Sequence, residues 1–506
     1  MEHFDVLIVG AGISGIGAAC HLRANCPDKS FLILEGRPNL GGTWDLFRYP
    51  GIRSDSDMYT LGYAFKPWTN AKAIADGPAI LTYLHETVDE NGLAPHIRYQ
   101  RQAKAASWST AEARWTVEIA CRDTGAVERV TCNFLFMCSG YYNYEAGYTP
   151  EFEGVEAFRG RIVHPQKWTD DIDYSGKRVV VIGSGATAVT LVPEMAKQAG
   201  HVTMLQRSPT YVVSRPAEDK IANSLRRHLP AKLAYGITRW KNVLLGMALY
   251  KLARSRPEKV KGKIVEAARG ALGPDYDVET HFTPRYNPWD QRVCLVPDGD
   301  LFHAIRDGQA SVVTDRIARF TENGILLESS KELPADLVVT ATGLSLQLMS
   351  DIALSVDGKP ADASKALNYK GMMFSGIPNL ASTFGYTNAS WTLKADLTAL
   401  YVCRLLQHMD RRGWRQCTPM LDDPSVTEEP FLDFTSGYVQ RALEKFPRQG
   451  SKKPWKLYQN YVLDVFALKW GKVDDGTMVF SNRDADVRKG AARTLSTGEP
   501  VNLVAQ

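Results

Sequence analysis

Two strand–loop–helix units predict an α/β protein with two Rossmann-like dinucleotide-binding domains, the second inserted into the first, plus a helical excursion. Three observations carry that expectation. Gly10-x-Gly12-x-x-Gly15 follows one apolar strand, and Gly183-x-Gly185-x-x-Ala188 follows another. Two later apolar strands each run into small residues, at 138–140 and 341–343.

Val6 to Val9 is an unalternating apolar run, as in a strand buried on both faces. A helix should follow the glycines, Ser14 at its start, and then a strand from Phe31 to Leu34 ending in Glu35. The glycines let the backbone turn and approach a pyrophosphate, and the helix N-terminus favours negative charge. Glu35 stands where a carboxylate can accept hydrogen bonds from a ribose. N-terminal units of this kind with a distal Glu commonly hold FAD, which is the expected resident cofactor.

The second unit has a strand Arg178–Ile182, the loop Gly183, Ser184, Gly185, then Ala186, Thr187 and Ala188 opening a helix, and a strand Val202–Gln206. It ends in Arg207 and Ser208 where the first unit has Glu. A guanidinium suits a phosphate on the ribose, so this unit should take NADPH rather than NADH. The expected division is 1–140 with 330–506 as a discontinuous FAD domain, 141–164 as a linker, and 165–330 as the NADPH domain. Within the last, about 217–272 should be a basic helical insert. The polar tail after about residue 480 should be loosely ordered.

The chain has 506 residues, enough for two or three domains, and 60 basic against 56 acidic residues. A net charge of +4 gives no reason to expect nucleic acid as a partner. Eight scattered cysteines form no C-x-x-C, which suggests reduced cysteine in a cytoplasmic protein. The first strand begins near residue 4, leaving no room for a cleavable leader. Residues 220–270 hold thirteen Lys or Arg against Glu258 and Glu266, interleaved with Leu, Ile and Trp. Helices with a solvated basic face packed on the body are the favoured expectation, and a membrane-surface patch the alternative.

Phe158-x-Gly160-x-x-x-His164-x-x-x-Trp168 and Gly42-x-Trp44-x-x-x-x-Tyr49-Pro50-Gly51-x-x-x-Asp55 are both present. With the two nucleotide motifs and Ala341-Thr342-Gly343 in the same order, the chain resembles type I Baeyer–Villiger monooxygenases. The resemblance covers nearly the whole chain and weakens after about residue 400. The stretches around 41–62 and 286–292 look like mycobacterial members. The resemblance implies an FAD enzyme that uses NADPH and O2 to form a C4a-peroxyflavin. That species would convert ketones to esters or lactones, with sulfide oxidation as a side activity.

The same resemblance implies a cation beside the flavin at Arg292, held by Asp55. It implies cofactor contacts from Gly42, Thr43, Trp44, Asp45, Leu46, Tyr49, Arg53, Ser54, Asp55 and Tyr59. Gln291 stands where many members have Lys, which would leave more of the NADPH discrimination to Arg207. His164 is open to a catalytic or a conformational role, of which the second is favoured for a linker position. Trp391 begins a helix, with Asn388 or Ser390 as its cap, that the resemblance points at the flavin.

Three other classes fit the sequence less well. A flavin N- or S-oxygenase is disfavoured by the Arg292/Asp55 pair. A disulfide reductase needs a redox cysteine pair, and residues 36–60 contain no Cys. A non-catalytic redox sensor is disfavoured by the intact motifs.

Overall fold

The computed structural model describes residues 1–432 and 434–482. The tail expected to be loosely ordered lies, from residue 483 on, outside the described residues.

In chain order, the first unit comprises β1 (Glu2–Val9), α1 (Ile13–Asn25) and β2 (Phe31–Leu34). Three helices follow: α2 (Thr43–Leu46), α3 (Met58–Leu61) and α4 (Gly77–Glu90). Four strands come next: β3 (Ile97–Arg98), β4 (Arg101–Ser109), β5 (Arg114–Cys121) and β6 (Val127–Met137). The crossing region contributes β7 (Arg161–Val163), and the second unit opens with β8 (Arg178–Ile182), α5 (Ala186–Met195) and β9 (His201–Gln206). Next come β10 (Val212–Arg215), the insert helices α6 (Lys220–His228), α7 (Ala231–Ser255) and α8 (Pro257–Leu272), and α9 (Val278–Phe282). The unit continues with β11 (Cys294–Pro297), α10 (Asp300–Arg306), β12 (Ala310–Thr314), a three-stranded meander (317–334) and a last strand, Leu337–Thr340. The chain then rejoins the first sheet through Ala353–Val356, and the 22-residue helix Trp391–Arg412 covers that sheet.

In the first sheet β1 lies between β2 and β6, parallel to both, while β5 and β4 continue it antiparallel. The second sheet is parallel throughout, in the order β12, β9, β8, Leu337–Thr340, β7. Its buried strands read as continuous apolar runs because both faces are covered, one by α5, α8 and α10 and the other by Phe158 and the meander. Each sheet has its own apolar core.

Two expected boundaries are corrected here. Leu337–Thr340 was expected to lead back into the first domain, but it is a central strand of the second sheet. All four residues are buried, so the strand needs a neighbour on each side, and it finds β8 and β7. Asp336 fixes the register by accepting from the Arg178 backbone N–H at 2.8 Å and its guanidinium at 2.6 Å. Arg161–Val163, expected in the linker, is the edge strand of that sheet.

The helical insert is also not confined to the second unit. Arg239 of α7 is buried and donates to the carbonyls of Tyr59 (2.8 Å) and Gly62 (2.7 Å) in the first unit, with Asp396 3.5 Å away. Val265, Ala268 and Leu272 of α8 pack into the second core. The insert therefore straddles both units.

Candidate active site

The two fingerprint loops face a common cavity of about 1360 Å3, at the C-terminal ends of β1 and β8. Crevices outside the carboxyl ends of parallel strands are where α/β sheets bind ligands. Gly10 (φ +107°) lies so close to the end of β6 that a Cβ would stand 2.6 Å from the Cys138 carbonyl oxygen. Gly183 (φ +137°) stands in the same relation to Ala341, at 2.3 Å. Each small-residue strand end thus seats the first glycine of one fingerprint.

Glu35 is buried at the tip of β2. Its carboxylate accepts from the Ala11 N–H (2.8 Å) and the Arg37 N–H (2.9 Å). Burial raises its pKa, and those two N–H groups oppose the shift. Among the buried polar atoms of the cavity wall that have no partner among the described residues are Arg37 Nη1 and Ser139 Oγ. Buried donors are normally satisfied, so these two fit a polar ligand such as a dinucleotide. In the second unit, Arg207 is exposed at the cavity wall and has no ion pair among the described residues. A Cβ on Gly185 would meet nothing within 4 Å, so the start of α5 is an open cradle.

Arg292 and Asp55 meet. Arg292 Nη2 lies 2.6 Å from Asp55 Oδ2, and both line the cavity. The guanidinium lies deep in the protein; the accessible 38% of its side chain faces the cavity. Asp55 holds it protonated, raising its pKa well above the ordinary value against the cost of burial. Tyr141, Tyr142 and Tyr438 surround it, and burial pushes the Tyr438 hydroxyl up to about 12 while Arg292 opposes the shift. The loop that presents Arg292 is bent at Trp289, whose φ of +74° costs a bulky residue about 1–3 kcal/mol. It is braced by α7, through Tyr250 against Trp289 (ring centroids 5.5 Å) and Arg254 to Asp290 (2.7 Å).

Most of the other expected site residues line the same cavity: Gly12, Ser14, Gly42, Thr43, Trp44, Leu46, Tyr49, Arg53, Ser54, Ser184, Ala186, Thr187, Ser208, Gln291 and Trp391. Trp391 donates from Nε1 to Ser14 Oγ at 2.7 Å and stacks on Tyr141 at 4.9 Å. Its helix begins after Ser390, but neither expected residue caps it by side chain. The Ser390 hydroxyl bonds Thr60 Oγ1 and Asn388 bonds the Gln459 carbonyl. Arg53 is paired with Asp300 at 2.5 Å. The Tyr49–Gly51 turn docks on α5: Tyr49 is buried in the second core, and a Gly51 Cβ would lie 2.9 Å from Glu194.

Five expected residues stand outside the cavity wall. Gly15 packs under Gly10, and Ala188 is buried in the second core. Asp45 is buried in ion pairs to Arg37 (2.6 Å) and Arg48 (2.7 Å). Tyr59 is buried in the first core. His164 lies behind the wall. Its Nδ1 accepts from the Gln166 N–H (3.1 Å) and its Nε2–H donates to the Gly343 carbonyl (3.2 Å). Sequence reasoning missed Arg37, Ser139, Tyr438 and the α7 brace. The tyrosines of 141–144 were visible only as an unusual linker composition.

Two dinucleotide cradles opening on one cavity, with a paired arginine between them, define a two-nucleotide flavoprotein architecture. Residues 8–76 match the NAD(P)-binding Rossmann-like domain family, and residues 73–254 the flavin-binding monooxygenase-like family. The FAD-containing monooxygenase EthA of Mycobacterium tuberculosis is 55% identical over 487 residues, 96% of this chain and 99% of its own length. EthA of Mycolicibacterium smegmatis is 52% identical over the same shares. The chain belongs to this family of FAD-containing monooxygenases. Among solved structures, an oxidized steroid monooxygenase bound to NADP shares the fold at a TM-score of 0.71 and 22% identity, covering 94% of this chain and 99% of that one. Cyclohexanone monooxygenase bound to ε-caprolactone gives 0.71 at 18% identity, covering 95% and 100%.

Proposed function

We propose that the chain is a Baeyer–Villiger monooxygenase that uses NADPH and O2 to convert ketones to esters or lactones, with sulfides as secondary substrates. The observation that carries this is the Arg292–Asp55 pair, which faces a cavity lined by both fingerprint loops. Bound FAD, reduced by NADPH, supplies the activated oxygen.

The residues divide the remaining work. The 10–15 loop and the α1 N-terminus bind the FAD pyrophosphate, and Glu35 accepts from its ribose. The 183–188 loop holds the NADPH pyrophosphate, and Arg207 takes the ribose phosphate. Arg292 remains cationic at any working pH. It stabilises negative charge developing on oxygen during the insertion, from a position fixed before reaction. Asp55 aims it, and the α7 brace keeps its loop in place. His164 acts by position: it ties β7 to Gly343, which lines the cavity. The eight cysteines are buried and unpaired, which supports a reducing cytoplasmic setting.

The test is product analysis with isotopically labelled dioxygen and a cyclic ketone. The reading requires one labelled oxygen in a lactone for each NADPH consumed. Hydrogen peroxide alone, with every ketone tried, would overturn it.

A further inference from the structure

The inner face of α7 is anchored by Arg239, but among the described residues its outer face is largely uncovered. Leu233, Ile237, Trp240 and Leu244 recur at three- and four-residue spacing and are 52%, 42%, 44% and 54% exposed. Leu245, Leu249 and Leu252 widen the stripe. A solvated basic face, the favoured expectation from sequence, explains the lysines of this insert but not these side chains.

A second exposed cluster adjoins the first. Leu463, Phe466 and Trp470 are 42%, 59% and 60% exposed on the helical segment 461–470. Tyr461 joins the two, its ring 5.6 Å from that of Trp240. An apolar surface of this extent on a soluble domain marks an interaction site. It is set among cations. Lys220, Arg227, Lys232, Lys251, Lys259 and Lys263 are exposed and have no ion pair among the described residues. Lys469 and Lys472 are exposed beside the second cluster.

We propose that this surface docks on an anionic lipid bilayer, with α7 lying in the interface. Charge decides between a membrane and a second copy of the chain. Residues 220–270 carry thirteen cations and only Glu258 and Glu266, so two such faces would repel each other. Lipid phosphates neutralise the cations while Leu, Ile, Phe and Trp enter the acyl boundary. No described helix is long and apolar enough to cross a membrane, so the contact is peripheral.

A separate cavity of about 550 Å3 fits the same surface. It is lined by Leu463 and Phe466 from the docking patch and by Tyr386, which also lines the main cavity. Docking therefore brings the lipid phase to the mouth of a chamber that shares Tyr386 with the candidate active site.

The test is co-sedimentation of the purified holoprotein with vesicles, read without turnover and so independent of the catalytic proposal. Vesicles of phosphatidylcholine alone are compared with vesicles containing phosphatidylglycerol. Wild type is expected to bind the anionic vesicles more tightly and to be partly released by salt. Trp240→Ser with Leu244→Ser, and separately Phe466→Ser with Trp470→Ser, are each expected to weaken binding about tenfold or more. Flavin content and melting temperature, read on each variant, separate loss of docking from loss of fold. Absent binding, equal binding to both vesicle types, or unchanged binding by folded variants overturns the proposal. So does a concentration-dependent dimer that the same substitutions abolish.

Discussion

Arg254 of the basic helix α7 forms a 2.7 Å ion pair with Asp290, two residues before Arg292. Helix and candidate active site are thereby coupled, although α7 itself lines no part of the main cavity. Both partners are partly exposed, so Arg254→Ala should change stability by no more than about 1 kcal/mol. Its effect should fall on coupling instead. A looser Arg292 lets activated oxygen escape as hydrogen peroxide, so less ester forms per NADPH. Identical coupling in variant and wild type would show that the brace does not hold the loop.

Arg292→Ala removes the cation placed before reaction and should lower ester formation by about a hundredfold to a thousandfold. NADPH oxidation should continue, because reduction of the flavin does not depend on that charge. Asp55→Ala leaves the cation present but unaimed, and its loss should be the smaller of the two. Parallel assays of NADPH consumption and ester yield measure both; a variant that stops consuming NADPH would mean Arg292 acts in reduction.

Arg207 has no protein ion pair among the described residues, so its removal should cost the fold little. A charge-assisted contact to phosphate contributes about 1.5–3 kcal/mol, or roughly ten- to a hundredfold in kcat/KM. Arg207→Ala should lose that factor with NADPH and leave NADH unchanged. A matching loss with both nucleotides would place the ribose phosphate elsewhere.

The parts legible in the sequence were those specified locally. A glycine pattern between a strand and a helix needs no distant partner to be recognised, so both units and their loops were read at their observed positions. Partner choice was not legible. Leu337–Thr340 is as apolar as a strand of either sheet, and only its register with Val179–Ile182 assigns it. The Arg239–Asp396 pair joins residues 157 apart, and nothing near either one announces the other. Arg292 and Asp55 came from family resemblance, whereas the tyrosines around Arg292 converge only on folding. The amphipathic spacing of α7 was visible, but not which of its faces stays uncovered.

His164 predicts a pH dependence. Its Nδ1 accepts a backbone N–H, so a proton added there would face another donor. Burial, opposed by the bond to Gly343, lowers its pKa below the ordinary value near 6.5. As pH falls through 6.5 the unfolded chain binds the proton first. The stabilisation is therefore complete above that value and is lost as pH falls toward the folded pKa. Melting curves of wild type and His164→Gln should converge between about pH 7 and pH 5. A constant difference across that range would mean that the imidazole does not titrate between the two states.

Two fingerprint glycines should separate folding from cofactor binding. A Cβ on Gly15 would stand 1.8 Å from the Gly10 carbonyl oxygen, a backbone atom that cannot yield without moving α1 off β1. Gly15→Ala should therefore destabilise the first unit and yield protein with little flavin. Gly185 has an ordinary extended backbone, φ −80° and ψ −174°, and a Cβ there meets nothing within 4 Å. Gly185→Ala should fold and keep its flavin, with an unchanged melting temperature. Its methyl group would occupy the open start of α5, where free N–H groups face the cavity. The expected consequence is a raised KM for NADPH and NADH alike, since both carry the pyrophosphate. Flavin content, melting temperature and the two KM values read the contrast directly. If Gly185→Ala left both KM values unchanged, that loop would not be the pyrophosphate cradle of the nicotinamide nucleotide.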